Sequence, residues 1–206
     1  MNYHDSHKNH IFDKIDAVKS AIFEKLLPVY NDIETEAESV SKEKYKELGK
    51  KFNPETMDES SAAEKAWEEG GKYYELQHAM KAEFLLSTAT WLFHLFEKDC
   101  REMCSRLYNK HDELKIKLEE MGINCDDNSD WYKTNTELRL VANTIKHGEG
   151  SSSRKLQLIK PEYFDTKSSY LTDSKIEITD QDIQLYIEYM KSFWISFFDK
   201  VLRKST

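Results

Sequence analysis

The chain has 206 residues, of which 39% are hydrophobic and 33% charged, and its formal net charge is −8. That length holds one domain or at most two and can bury a core without disulfides. The composition excludes a disordered or membrane-embedded chain, and the acidic balance excludes a general nucleic-acid coat.

Three prolines (Pro28, Pro54 and Pro161) and six glycines are few for this length. Nothing between Pro54 and Pro161 is barred from a helix by proline. These numbers point to an all-α protein.

In chain order, Ile11, Ile15, Val18, Ile22 and Leu26 recur at steps of three and four, the spacing of an amphipathic helix. Pro28 ends or kinks it, a second helix runs to about Leu48, and Asn53-Pro54 marks a turn. From Ser60 to about Tyr108 the pattern predicts one long helix or two abutting ones, with Gly70-Gly71 as the weak point. Phe84, Thr88, Trp91 and Leu95 form one stripe, and Leu85, Leu92 and Phe96 a second. Apolar sides that broad predict a central helix. Residues 111–121 make a shorter helix stopped by Gly122. The loop after it ends in an N-cap near Asp130 for a helix over about 130–147.

A loop and a short helical turn follow up to Lys160-Pro161, and "KIEI" at 175–178 is a candidate short strand. Thr179 to Asp182 resembles a capping box opening the last helix. There Ile183, Ile187, Met190, Trp194, Phe197 and Val201 form one apolar side, and Tyr186, Tyr189, Phe193 and Phe198 a second. A helix so aromatic is either central or a subunit interface. The expected fold is a single antiparallel bundle of about five to six helices over 1–206, with long central and C-terminal helices and a looser N-terminal arm over about 1–56.

Charge is uneven along the chain. Residues 32–69 hold 12 acidic and 6 basic side chains, whereas 143–160 hold Lys146, Arg154, Lys155 and Lys160 against Glu149 alone. This is either a pair of solvated faces or an acidic protein with one basic corner for a phosphate.

That corner begins in "RLVANTIKHGEG", residues 139–150. In helical projection Leu138, Val141, Ala142 and Ile145 form a core stripe. Arg139, Asn143, Lys146 and His147 line the adjacent side, and Gly148 ends the helix. Arg and Lys can hold a phosphate and stabilise its developing charge, His can transfer a proton near neutral pH, and Asn can orient either. The plainer reading is that Lys146 and His147 complement the dipole at a helix C-terminus, which favours cations and is a poor seat for an anion.

On the central helix Thr90, His94, Glu97 and Arg101 form a second polar strip: either Glu97 pairs with Arg139 and orients it, with His94 beside it, or the strip is a satisfied buried or edge network that fixes helix register. "GEGSSSRK", residues 148–155, fits either an anion-binding nest offering Arg154 and Lys155 to a phosphate or an ordinary cap between helices. It lacks the P-loop pattern of nucleoside triphosphatases.

His4, His7 and His10, three apart, have no fixed fourth ligand, and Cys100, Cys104 and Cys125 form no disulfide or zinc pattern, so no metal or other cofactor is expected. The start of the chain lacks the apolar region of a signal peptide, and no run approaches the roughly 18 apolar residues of a membrane span. The expected setting is the cytoplasm, with no membrane partner.

A bundle of this length, with an Arg/Asn/His strip at a helix end followed by a loop and one last long helix, resembles the HEPN superfamily. The layout matches over most of residues 60–203, the motif over about ten. The family motif is an Arg, usually followed by a polar residue such as Asn, with a His four to six residues after the Arg. His147 matches the His and Asn143 the polar residue. Ala142 stands where the Arg should be, and Arg139 lies one turn earlier. The resemblance implies a metal-independent endoribonuclease, or a non-catalytic RNA-binding relative, of a bacterial defence or toxin–antitoxin system. It implies a homodimer with both strips in one cleft, an RNA substrate whose 2′-OH attacks the neighbouring phosphate, and an antitoxin or defence-system protein as a further partner. His147 would be general acid or base, with Arg139 and Lys146 on the phosphate. The other reading is a non-catalytic dimerisation or interaction module in which the Arg139–Asn143–His147 strip is structural.

Overall fold

The computed structural model describes residues 5–50, 52–53, 58–104, 111–164 and 176–203. The protein is all-α, with no strand among the described residues. The chain divides into two compact units, one formed by residues 21–83 and one by residues up to Ser20 together with those from Phe84 onward.

The 21–83 unit opens with a π-helical turn, Ala21–Leu26, and a 3-10 turn, Leu27–Tyr30, which carries Pro28 in its first turn. The wide turn changes the apolar register. Leu26, expected inside, is 47% exposed, and Leu27 is buried in its place. Helix α2, Ile33–Gly49, then runs antiparallel to the first half of α3, Glu59–Met103. Two hydrogen bonds fix their register: the Tyr73 hydroxyl donates to Glu36 Oε2 at 2.7 Å and the Tyr45 hydroxyl to Glu59 Oε1 at 3.1 Å. Gly70-Gly71 does not break α3, and at Gly70 α2 packs closely against it. A Cβ there would stand 2.0 Å from Ser41 Oγ and 2.8 Å from the Ala37 carbonyl oxygen.

The other unit gathers α1, Asp5–Ser20, and the second half of α3 with α4, His111–Glu120; α5, Leu138–His147; α6, Ser151–Ile159; and α7, Asp180–Arg203. The breadth of apolar surface on α3 is only partly used. Leu85, Ala89, Leu92, Phe96 and Cys100 are buried, but Trp91 is 47% exposed. On α7 both apolar sides are covered within the chain: Ile183, Ile187, Met190, Trp194 and Phe197 on one, Tyr186, Phe193 and Phe198 on the other. Its rings knit the unit together, with Phe193 5.3 Å from both Phe96 and Trp131, and Phe198 6.2 Å from Phe12 of α1. Such contacts in offset and edge-on geometry add to the area they bury.

Local capping explains most helix ends. Gly122, at φ +80°, closes α4 in a Schellman arrangement: its N–H reaches the Glu119 carbonyl and that of Ile123 the Leu118 carbonyl. The next helix is capped by Ser129, one residue before the expected Asp130; the Ser129 hydroxyl accepts from the Tyr132 N–H at 3.1 Å. Asp130 is used elsewhere, accepting the Ser192 hydroxyl of α7 at 2.7 Å. Thr179 and Asp182 do form the reciprocal capping box of α7, with the Thr179 N–H on Asp182 Oδ2 at 2.9 Å and the Asp182 N–H on Thr179 Oγ1 at 3.2 Å. The described part of "KIEI", residues 176–178, forms no strand. It gives one isolated antiparallel bridge, Phe164 with Ile176; Lys175 lies outside the described residues.

No described helix is long and apolar enough to cross a membrane. Cys100, Cys104 and Cys125 are free and buried, and burial pushes the thiols of Cys104 and Cys125 up to about 12. None of the three is a reactive thiolate near neutral pH. The described residues hold no cluster of three or more metal-ligating side chains; His4 lies outside them.

Candidate functional site

The helix carrying the polar strip is not uniform. From Asp130 it enters a π-helical turn, Tyr132–Glu137, closed by a bond from the Leu138 N–H to the Lys133 carbonyl five residues back. Thr134 Oγ1 bonds the carbonyls of Asp130 at 2.7 Å and Trp131 at 3.2 Å, satisfying groups that the wider turn loosens. One extra residue in the turn sets the phase of α5. As a result Leu138, Leu140, Val141, Ala142 and Thr144 all face inward, while Ile145 is only half-buried.

The remaining side of α5 is the strip. Arg139 and Asn143 are half-buried, and Lys146 and His147 are exposed. None of the four makes a hydrogen bond or ion pair with another described residue. At about 100° per residue, Asn143 sits about 40° and Arg139 about 80° around the axis from His147. Gly148, at φ +67°, ends the helix, its N–H on the Thr144 carbonyl at 2.9 Å. Ala142 is 2% exposed and faces the core, away from the strip.

The following helix supplies fewer free cations than its composition suggests. Arg154 is exposed and lies 3.7 Å from Glu149. Lys155 is exposed and has no ion pair among the described residues. Lys160 turns inward, 3.7 Å from Glu137 and 3.3 Å from Glu162. The GEGSSSRK segment is a self-satisfied cap. The Ser153 hydroxyl accepts the Gly150 N–H at 2.8 Å and donates to the Gly150 carbonyl at 2.9 Å.

The expected partner strip on α3 does not reach α5. Glu97 is taken up on its own helix by Arg101 Nη2 at 2.9 Å and by His94 Nδ1 at 3.7 Å, in place of Arg139. Neighbours three and four apart on one helix meet without any tertiary help, which is why the local pairs form. Thr90 bonds the Leu86 carbonyl at 3.1 Å.

In the π turn that leads into α5 lies a polar network that periodicity alone missed. Glu137 is buried, and its carboxylate receives the Tyr186 hydroxyl at 2.9 Å and Lys133 Nζ at 2.8 Å, with Lys160 Nζ beyond. The Tyr163 hydroxyl, 3.2 Å from that of Tyr186, donates to Asp182 Oδ1 at 2.9 Å. Burial pushes both phenols well above their ordinary range, so they remain protonated donors. Burial alone would lower the Lys160 ammonium, but the nearby Glu137, Glu162 and Asp182 more than offset it and hold it above its ordinary value. This network joins the π turn, the turn after α6 and the start of α7, and so holds the strip-bearing helix in place. Its one sequence signal was Tyr186, whose hydroxyl needs a partner when the ring is buried.

The fold and the strip define an all-α protein with an unengaged Arg–Asn–Lys–His edge at a helix C-terminus. No family model, curated protein or solved structure matches the chain.

Proposed function

We propose that the strip on α5 binds the phosphodiester backbone of RNA, and that the protein is a metal-independent endoribonuclease or RNA-binding protein of the HEPN kind, serving a bacterial defence or toxin system in the cytoplasm. The observation that supports this is the idleness of the four side chains. Every member of the buried Glu137 network is engaged, whereas Arg139, Asn143, Lys146 and His147 have no partner among the described residues. A strip kept to fix helix packing would be expected to have partners.

In this reading Arg139 and Lys146, with Lys155 on α6, hold the phosphate. His147 takes the 2′-OH proton or delivers one to the leaving 5′-oxygen. The O2′–P bond forms as P–O5′ breaks, leaving a 2′,3′-cyclic phosphate and a 5′-hydroxyl. The helix C-terminus opposes an anion, and a homodimer offsets this by bringing two sets of cations to one phosphate. The burial of the two aromatic and aliphatic sides of α7 within the chain favours α5 over α7 for that contact.

The test is incubation of wild-type protein and His147→Ala with RNA, with and without EDTA. Cleavage by the wild type alone, unchanged by EDTA and ending in a cyclic phosphate, is the expected result. Equal cleavage by both proteins removes His147 as catalyst, and loss in EDTA removes the metal-free mechanism. No cleavage and no RNA retention leaves a helical interaction module.

A further inference from the structure

The 21–83 unit carries a surface that the strip does not use. Between α2 and the first half of α3 lies a groove of about 360 Å³, floored by Ala63 and Ala66 and flanked by Tyr45 and Trp67, with Lys42 and Lys46 on its α2 rim. Trp67 is 76% exposed beside it. A large indole left in water next to an apolar hollow is an unusual place for a tryptophan, and such patches mark contact surfaces.

The charges around the groove say what covers it. On the α2 side stand Lys42 and Lys46, one turn apart and both exposed. On the α3 side, beyond Trp67, stand Glu64 and Glu68, also one turn apart and exposed. Lys42 pairs with Glu38 at 2.9 Å, an exposed contact of small worth. Lys46, Glu64 and Glu68 have no ion pair among the described residues. Gly70 against Ser41 and Tyr45 against Glu59 place the two lysines level with the stretch that bears the two glutamates. The face is therefore basic along one edge, apolar in the middle and acidic along the other.

Such a face is complementary to itself. A two-fold axis running along the hairpin lays α2 of one copy over α3 of the other at the same level. Lys42 and Lys46 then oppose the second copy's acidic edge, and each Trp67 seats in the other's groove. An axis across the hairpin would instead set like charges together. We propose that this hairpin face is a homodimer interface, closed by mutual insertion of Trp67 into a four-helix arrangement. The 17 residues of α2 make it about 25 Å long at 1.5 Å per residue, enough for a bundle contact. This proposal does not rest on the RNA reading.

The mass of the full-length protein in solution tests it, by light scattering after gel filtration. Three variants are compared with wild type, each checked for helix content by circular dichroism: Trp67→Ala, the pair Lys42→Glu/Lys46→Glu, and the pair Glu64→Lys/Glu68→Lys. Each variant alone is expected to show half the wild-type mass. An equimolar mixture of the two charge-reversed proteins is expected to recover it, because opposite edges meet again. A monomeric wild type, an unchanged mass in the variants, or no recovery on mixing by folded partners overturns the proposal. Assembly through α5 leaves a different signature, since it survives all three variants and is lost with the strip.

Discussion

Glu137 and Tyr186, 49 residues apart in the chain, meet in the core through a hydrogen bond of 2.9 Å. The bond joins the π-helical turn that sets the phase of α5 to the first turns of α7. Lys133 and Lys160 complete the shell of the carboxylate. Removing that carboxylate leaves Lys133 without its partner and takes one of two partners from Lys160 and from Tyr186, so Glu137→Ala is expected to destabilise the protein by about 3–5 kcal/mol. Tyr186→Phe deletes one bond and should cost about 1–3 kcal/mol, and the double variant less than the sum. Urea unfolding of the four proteins measures the coupling. An additive result means that the two groups do not act on each other.

Gly70 and Gly71 are neighbours in sequence and opposites in structure. A Cβ at Gly70 overlaps Ser41 Oγ and crowds the Ala37 carbonyl, whereas one at Gly71 meets nothing within 4 Å. Gly70→Ala is therefore expected to destabilise the hairpin by about 1–3 kcal/mol through overpacking. Gly71→Ala should stabilise it by about 0.5–1 kcal/mol through helix propensity. Thermal unfolding gives both signs in one experiment, and equal shifts would mean that α2 and α3 do not touch at Gly70.

These glycines also show what a sequence can and cannot disclose. The Thr179–Asp182 box, the Gly122 stop and the Gly148 stop were legible because the residues that make them lie within one turn. The last helix was legible because its apolar spacing repeats without interruption. Leu27, buried where Leu26 was expected, was not legible, because a π turn inserts a residue that a 3.6-residue period cannot anticipate. Glu97 stayed open between two readings for a related reason: its partners Arg101 and His94 lie on its own helix, and spacing cannot say that a local pair will prevail over a distant one. The Glu137 network was hidden because its bonds join residues distant in sequence and because Tyr186 reads as one more apolar residue. The strip on α5 was visible, but its lack of partners became visible only with the fold.

Asp99 is fully buried, its one carboxylate partner is Lys14 of α1, and Oδ2 has no hydrogen bond among the described residues. Burial pushes this carboxyl above its ordinary value of 3.8, against the pull of Lys14. The folded state thus holds the proton more tightly than the unfolded state, and unfolding releases it. The contribution to stability is present at low pH and is lost as pH rises from about 3.8 through the raised folded value. Asp99→Asn removes that dependence. The melting temperature of wild type relative to Asp99→Asn is expected to fall as pH rises above about 3.8. Parallel curves for the two proteins would mean that Asp99 titrates at its ordinary value.

Ala142 bears on how the strip works. A nuclease motif of the ordinary kind would place Arg there, yet the position is 2% exposed and faces the core, with Val141 and Leu138 fully buried beside it. An Arg at 142 would put an unpaired charge among apolar side chains. Ala142→Arg is expected to destabilise the protein by more than about 3 kcal/mol and not to raise activity. On the proposed reading the cationic role falls to Arg139 on the outer face. Arg139→Ala and His147→Ala should each lower RNA cleavage by at least about 100-fold while shifting the melting temperature little, because neither side chain holds a described partner. Lys146→Ala and Lys155→Ala should weaken RNA retention at every sequence, each reducing the slope of log affinity against log salt by about one. Filter binding across a salt series separates these roles. If Arg139→Ala cleaves as wild type does while Ala142→Arg folds and gains activity, the catalytic face is the one around residue 142, and the strip is solvated surface.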